Sequence, residues 1–190
     1  MKLAWNTYDI TTLVLIAFLL VAAWIDLRHH RIPNWLTGLL LLSGVLAHGI
    51  FLGWMGLLTA LGGIVVGLLI FLPFWLGGGM GAGDVKLAAG IGAYTGGLTM
   101  VLVAGLSLLT GFFIALGMLT VKGGLKAYWN RNWITTKLMY WTGQVIYQPP
   151  SADEPAAQRF PFAIAIATGT IAALGWTSAL SFSSLRMLFI

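Results

Sequence analysis

Apolar runs long enough, or nearly long enough, to cross a bilayer recur along this chain, at residues 10–25, 35–52, 57–76, 85–98, 99–121 and 160–180. A spanning helix needs roughly 20 mostly apolar residues. With 59% hydrophobic and 8% charged residues, the chain lies far from soluble usage, where about a quarter of residues are charged. It reads as an all-α, polytopic membrane protein of about six transmembrane helices, forming a single integral-membrane domain over residues 1–190. The fourth and fifth runs are nearly continuous. A turn is predicted between them at Tyr94-Thr-Gly-Gly97, because Gly pairs interrupt helices.

Charge sits in the connections. Arg28, His29, His30 and Arg31 separate the first two runs, Asp84 and Lys86 the third and fourth, and Lys122, Lys126, Arg131 and Lys137 the fifth and sixth. The intervening connections are almost free of basic residues. The positive-inside rule therefore makes alternate connections cytoplasmic and turns both termini outward. Basic residues follow the first run more than they precede it, the reverse of a cleaved signal peptide. The net charge of +5 is read as topology and contact with the lipid bilayer, not as nucleic-acid binding. Residues 122–159 form the one sizeable polar connection, cytoplasmic or interfacial, with Trp129, Trp133, Tyr140 and Trp141 among its basic residues. A helix at headgroup level and a solvated loop with aromatic anchors both fit this mixture. Its end, "QPPSADEPAAQ", is Pro-rich and reads as extended or mobile.

The acids are Asp9, Asp26, Asp84, Asp153 and Glu154. Asp9 sits just before the first run, and Asp153 and Glu154 lie in the Pro-rich segment. Asp26 and Asp84 lie at the ends of membrane spans, and the charge pattern puts both on the same face of the membrane. An ionisable group at the bilayer is costly and points to function by default. Each also has a structural role open to it. Asp26 can pair with Arg28 or Arg31, and Asp84 can cap the helix that follows it. Two carboxylates at one depth, in a chain with so few, point to a pair.

Two close carboxylates share a proton, because both do not ionise cheaply side by side. The ionised one can take a proton from water while the other donates to a carbonyl oxygen. This is general acid–base hydrolysis with neither metal nor cofactor. The absence of cysteine excludes disulfides, a thiolate zinc site and a Cys nucleophile. No spaced His and carboxylate cluster offers a metal site. His29 and His30 are neighbours and point apart, and His48 lies in the second run, so flanking and packing roles are expected of them. Gly77-Gly-Gly-Met-Gly-Ala82 fits a loose dinucleotide pattern, but that pattern counts only between a strand and a helix, and a P-loop would need Gly-Lys-Ser/Thr. The glycines then serve conformation. They let the backbone turn beside Asp84 and let a substrate backbone approach.

"GAGDVKL", residues 81–87, matches the GxGD motif of intramembrane aspartic proteases, in the G-x-G-D-x-K-L form seen in type IV prepilin peptidases. "DLRHHRIPNWLT", residues 26–37, resembles the first aspartate motif of the same peptidases. "RFPFAIAIATG", residues 159–169, resembles the segment opening their last core helix, with Ala163 where Gly is usual. The resemblance implies the GxGD protease fold and removal of the leader peptide from prepilins or pseudopilins at the cytoplasmic face of the plasma (inner) membrane. It implies Asp26 and Asp84 as the catalytic pair, with Gly81, Gly83, Lys86, Arg28, Pro33 and Asn34 as motif residues around the approaching substrate. Larger relatives carry a cysteine tetrad and methylate the new N-terminus. This chain has no cysteine and a short first connection, so it resembles the peptidase-only form of Flp or tight-adherence pili. Archaeal preflagellin peptidases share the chemistry and are an alternative. From a different class, a small proton-coupled carrier would also use intramembrane acids. Finally, the G-x-x-x-G spacings at Gly49–Gly53, Gly63–Gly67 and Gly92–Gly96 favour close helix approach in lipid.

Overall fold

The computed structural model of the chain describes residues 7–121, 129, 133, 134, 137, 141 and 162–188. Four helices account for the continuous stretches: α1 (Thr7–His29), α2 (Asn34–Leu76), α3 (Ala82–Val121) and α4 (Phe162–Leu188). Among the described residues there is no strand. The chain divides into two units, Met1–Gly111 with Pro161–Ile190, and Phe112–Phe160. The first holds the core and both membrane-end aspartates. In the second, α3 continues as helix to Val121, and the Phe112 and Phe113 rings meet edge to face at 5.7 Å. The interfacial-helix, loop and extended-segment expectations for residues 122–159 lie outside the described residues.

Three helices are long and apolar enough to cross a membrane, and α4 contributes a shorter apolar stretch, Phe162–Thr177. The apolar runs at 35–52 and 57–76 fall in α2, and those at 85–98 and 99–121 in α3. A straight helix of 43 residues would measure about 65 Å, twice the roughly 30 Å of hydrocarbon. Neither α2 nor α3 is straight. Gly53 (φ 60°, ψ −143°) interrupts α2 and Gly96 (φ 75°, ψ 170°) interrupts α3. Both conformations belong to a region open essentially to glycine alone. Beyond its break α2 turns back, so that Gly49 faces the Leu57 side chain and Gly56 faces the His48 carbonyl.

The packing is that of a protein in lipid. Leu19 of α1, Leu40 and Phe71 of α2, Ile91 and Val103 of α3, and Ile166 of α4 are fully buried in one core. Many other large apolar side chains, including Ile50, Trp54, Leu98 and Trp176, lie exposed on the outside. Without a hydrophobic drive between helices, association rests on close backbone approach. α2 and α3 meet this way. Gly63 and Gly92 face each other's carbonyls so closely that a Cβ on either would overlap the opposing backbone. Gly67 abuts the Ala88 backbone and Gly44 abuts Ala93 and Tyr94. Tyr94 also donates to Ser43 Oγ at 2.8 Å. α4 packs on α1, and its Gly169 lies against Ser107 of α3.

Candidate active site

Asp26 lies in the last turn of α1. The helix ends just beyond it, where His30 adopts a left-handed conformation (φ 49°) and donates its N–H to the Asp26 carbonyl at 2.8 Å. Such a left-handed residue is a common helix terminator, though glycine is its usual occupant. The Asp26 side chain turns inward and is 6% exposed. Its Oδ2 accepts a hydrogen bond from the Ala163 N–H at 3.2 Å. Ala163 is in the first turn of α4, where backbone N–H groups have no partner inside the helix. Arg28 lies over the Trp24 ring, 4.5 Å from its centroid. The His30 ring, expected only to flank, is near enough to Asp26 to interact with its charge.

Asp84 is placed by the end of α2 and the loop that follows. Pro73, near the end of α2, leaves its carbonyl to the Gly77 N–H at 2.9 Å. Gly78 (φ 72°) donates to Trp75 and Gly79 to Phe74, each at 2.9 Å. These bonds satisfy the last carbonyls of α2 and start the chain back toward α3. Asp84 is the third residue of α3. Its Oδ2 accepts the Gly81 N–H at 3.0 Å, and its own N–H donates to the Gly81 carbonyl at 3.1 Å. Asp84 therefore caps from inside the first turn, reaching back as the acidic member of a capping box does. It does not cap from the position before the helix, as the sequence reading allowed. Its side chain is 8% exposed.

The two aspartate motifs meet through their neighbours. Gly83 lies against Ile32, whose Cβ would be 3.1 Å from a Cβ added at Gly83. Pro33 precedes α2 in an extended conformation, and its carbonyl accepts the Leu36 and Thr37 N–H groups. Lys86 Nζ donates to Asn34 Oδ1 at 2.7 Å, across 52 residues of sequence. This bond ties the N-terminal end of α3 to the first residue of α2. The Asp26 and Asp84 carboxylates are near enough to interact electrostatically. Of the motif residues, Gly81, Gly83, Lys86, Pro33 and Asn34 thus adjoin the pair or each other, while Arg28 turns to Trp24. Nothing in the sequence marks the Ala163 N–H or His30 as a partner of Asp26. A main-chain donor has no side-chain signature, and His30 lies in a basic helix flank, where a solvated role is the ordinary expectation.

Among the described residues, both carboxylates accept a main-chain N–H on Oδ2, and no buried side-chain oxygen is without a partner. Each aspartate is therefore held through Oδ2 by a main-chain N–H. No three His, Cys, Asp or Glu side chains converge among the described residues. Two carboxylates so held suit proton exchange with a water molecule. The geometry also makes Gly81 sensitive. A Cβ there would come within 3.2 Å of Asp84 Oδ2 and push the carboxylate by a few tenths of an ångström. Gly81→Ala is expected to lower kcat about three- to tenfold with little change in KM, since a 1 Å misplacement costs about a hundredfold. Steady-state kinetics on the purified variant checks this.

The model of the type IV leader peptidase family matches residues 13–116, a stretch that contains both Asp26 and Asp84. The chain belongs to the type IV leader peptidase family. No curated protein and no solved structure matches it. As a leader peptidase family member it is a peptidase, and its long apolar helices make it a membrane protein. The family match ends before α4, so the Ala163 contact with Asp26 is a feature of this fold beyond the matched stretch.

Proposed function

We propose that the protein is a membrane-embedded aspartic endopeptidase that removes the leader from prepilins of the Flp type at the cytoplasmic face of the inner membrane. The observation that carries this reading is the pair of buried carboxylates, Asp26 from α1 and Asp84 from α3, whose two motifs are joined by Gly83 against Ile32 and by the Lys86–Asn34 hydrogen bond. In the proposed reaction the ionised carboxylate removes a proton from water as its oxygen bonds to the scissile carbonyl carbon. The protonated partner donates to the carbonyl oxygen. Collapse of the tetrahedral intermediate expels the amine, which takes up the proton that the first carboxylate removed from water as the C–N bond breaks, while a hydroxyl of the intermediate returns a proton to the second carboxylate. In this reading the breaks at Gly53 and Gly96 divide α2 and α3 into two spans each. Six spans then cross the membrane, both termini face outward, and the chain, free of cysteine, lacks the methyltransferase activity of the larger relatives.

The test is incubation of purified protein in detergent with Flp-type and type IV prepilins, reading leader removal on a gel. Cleavage without any ion gradient separates a peptidase from a proton-coupled carrier, and the preferred substrate separates the pilin classes. Cleavage of neither prepilin would overturn the reading.

Lys86 enters this reading as the residue that holds the two motif turns together. Lys86→Met is expected to reduce kcat/KM about tenfold, the worth of one charged hydrogen bond. Lys86→Arg should recover part of the loss, since its planar head is not equivalent. Asn34→Ala should cost a similar factor, and the double variant little more than either alone, because both changes remove the same interaction. If Lys86 instead held a carboxylate of the substrate, Asn34→Ala would be neutral, and Lys86→Met would erase the difference between a glutamate substrate and its glutamine variant.

A further inference from the structure

We propose that the main-chain N–H of Ala163 is a positioning group for catalysis, fixing the Asp26 carboxylate through Oδ2 so that its other oxygen is presented to the reacting water. The proposal rests on the reading of Asp26 as catalytic. Asp26 sits at the exit of α1, four residues before the left-handed His30 that ends the helical path. A side chain there has rotamer freedom unless something outside the helix takes it up. The described contact that does so comes from α4, by one hydrogen bond of 3.2 Å to Oδ2. Both partners are out of solvent, with Ala163 fully buried. The amide is one of the first-turn N–H groups that lack an intrahelical acceptor, so the bond takes nothing from α4. Catalytic groups must be held within a fraction of an ångström to be productive.

Asp84 is held in the same way from its own loop, by the Gly81 N–H on Oδ2. The two carboxylates are thus fixed symmetrically, one main-chain donor each. This arrangement gives the first turn of α4 a task that its sequence does not display. It also explains why alanine serves at 163 where the resembling motif has glycine: the donor is the amide, common to both residues.

A purely structural cap on α4 is the competing account, and kinetics separates the two. Ala163→Gly keeps the N–H. Ala163→Pro removes it at a first-turn position, where proline is tolerated better than deeper in a helix. With full-length protein in detergent, Ala163→Gly is expected to match the wild type within about twofold. Ala163→Pro is expected to lower kcat about ten- to a hundredfold, with KM within about twofold, as a charge-assisted hydrogen bond is lost. Unchanged kcat in folded Ala163→Pro, with only its melting temperature lowered, would overturn the proposal. Should Ala163→Pro fail to fold, amide exchange of selectively ¹⁵N-alanine-labelled protein decides. Asp26→Ala should speed exchange at Ala163 about tenfold or more, and an unchanged rate would overturn the proposal. Asp26→Asn serves as the control on the underlying reading. It keeps an acceptor for Ala163 and removes the acid. Full cleavage by Asp26→Asn would remove the catalytic role of Asp26 itself. Loss of cleavage in Asp26→Asn beside unchanged kcat in Ala163→Pro would overturn the positioning role alone.

Discussion

Asp26→Asn and Asp84→Asn are each expected to reduce leader cleavage by about a thousandfold or more while the protein still accumulates in the membrane. General acid–base groups contribute about a hundred- to ten-thousandfold each. The asparagine oxygen can still accept the Ala163 or Gly81 N–H that each carboxylate accepts now, so the anchoring geometry survives the change. What disappears is the ability to exchange a proton. Because a pair of this kind acts as a unit, the double variant should be no less active than either single one. The measurement is single-turnover cleavage of a prepilin by purified variants, with thermal unfolding beside it to show that the fold is intact. Near-normal cleavage by either variant would show that its residue is not catalytic.

The second large effect is on the fold itself. Gly63→Ala and Gly92→Ala are each expected to cost about 3 kcal/mol or more, toward the upper end of what overpacking costs. A methyl group at Gly63 overlaps the Gly92 carbonyl, and one at Gly92 overlaps the Gly63 carbonyl and crowds Ile64 N. The obstacle is backbone on both sides, so no side chain can rotate to relieve it, and α2 must part from α3. Gly62→Ala is the matched control. It lies beside Gly63 in the same helix, yet a Cβ there meets nothing within 4 Å. Thermal unfolding in detergent should place Gly62→Ala with the wild type and the other two well below it. Equal stability of all three would mean that the close crossing does not hold α2 and α3 together.

These glycines also mark how far the sequence could be read. Repeated G-x-x-x-G spacing signals close helix approach, and the runs of apolar residues signal helices of membrane length. Spacing cannot say which glycines face one another. Gly63 and Gly67 meet α3, whereas Gly49 meets Leu57 of its own helix and Gly53 meets nothing. The gap between the second and third runs does contain Gly53, and the Tyr94–Gly97 turn signal does contain Gly96, the residues where α2 and α3 break. Asp84 was legible as a capping residue, but not its place inside the first turn. The tie between Lys86 and Asn34 was not legible at all. It joins residues far apart in the chain, and nothing local to either one names the other. The donor to Asp26 was hidden for a different reason, since every residue but proline carries a main-chain N–H.

The break in α2 has a consequence for how this position tolerates change. Mirror inversion of the Gly53 dihedrals, φ 60° and ψ −143°, gives φ −60° and ψ 143°, the extended polyproline conformation that L-residues favour. At this point the chain therefore follows a path suited to the opposite hand. A side chain at Gly53 would find open space, so the barrier to substitution there is one of chirality and not of room. Every other genetically encoded amino acid has the wrong hand for that path, however small its side chain. Mutational tolerance at Gly53 is thus set by backbone stereochemistry and not by room, since an added Cβ there meets nothing within 4 Å.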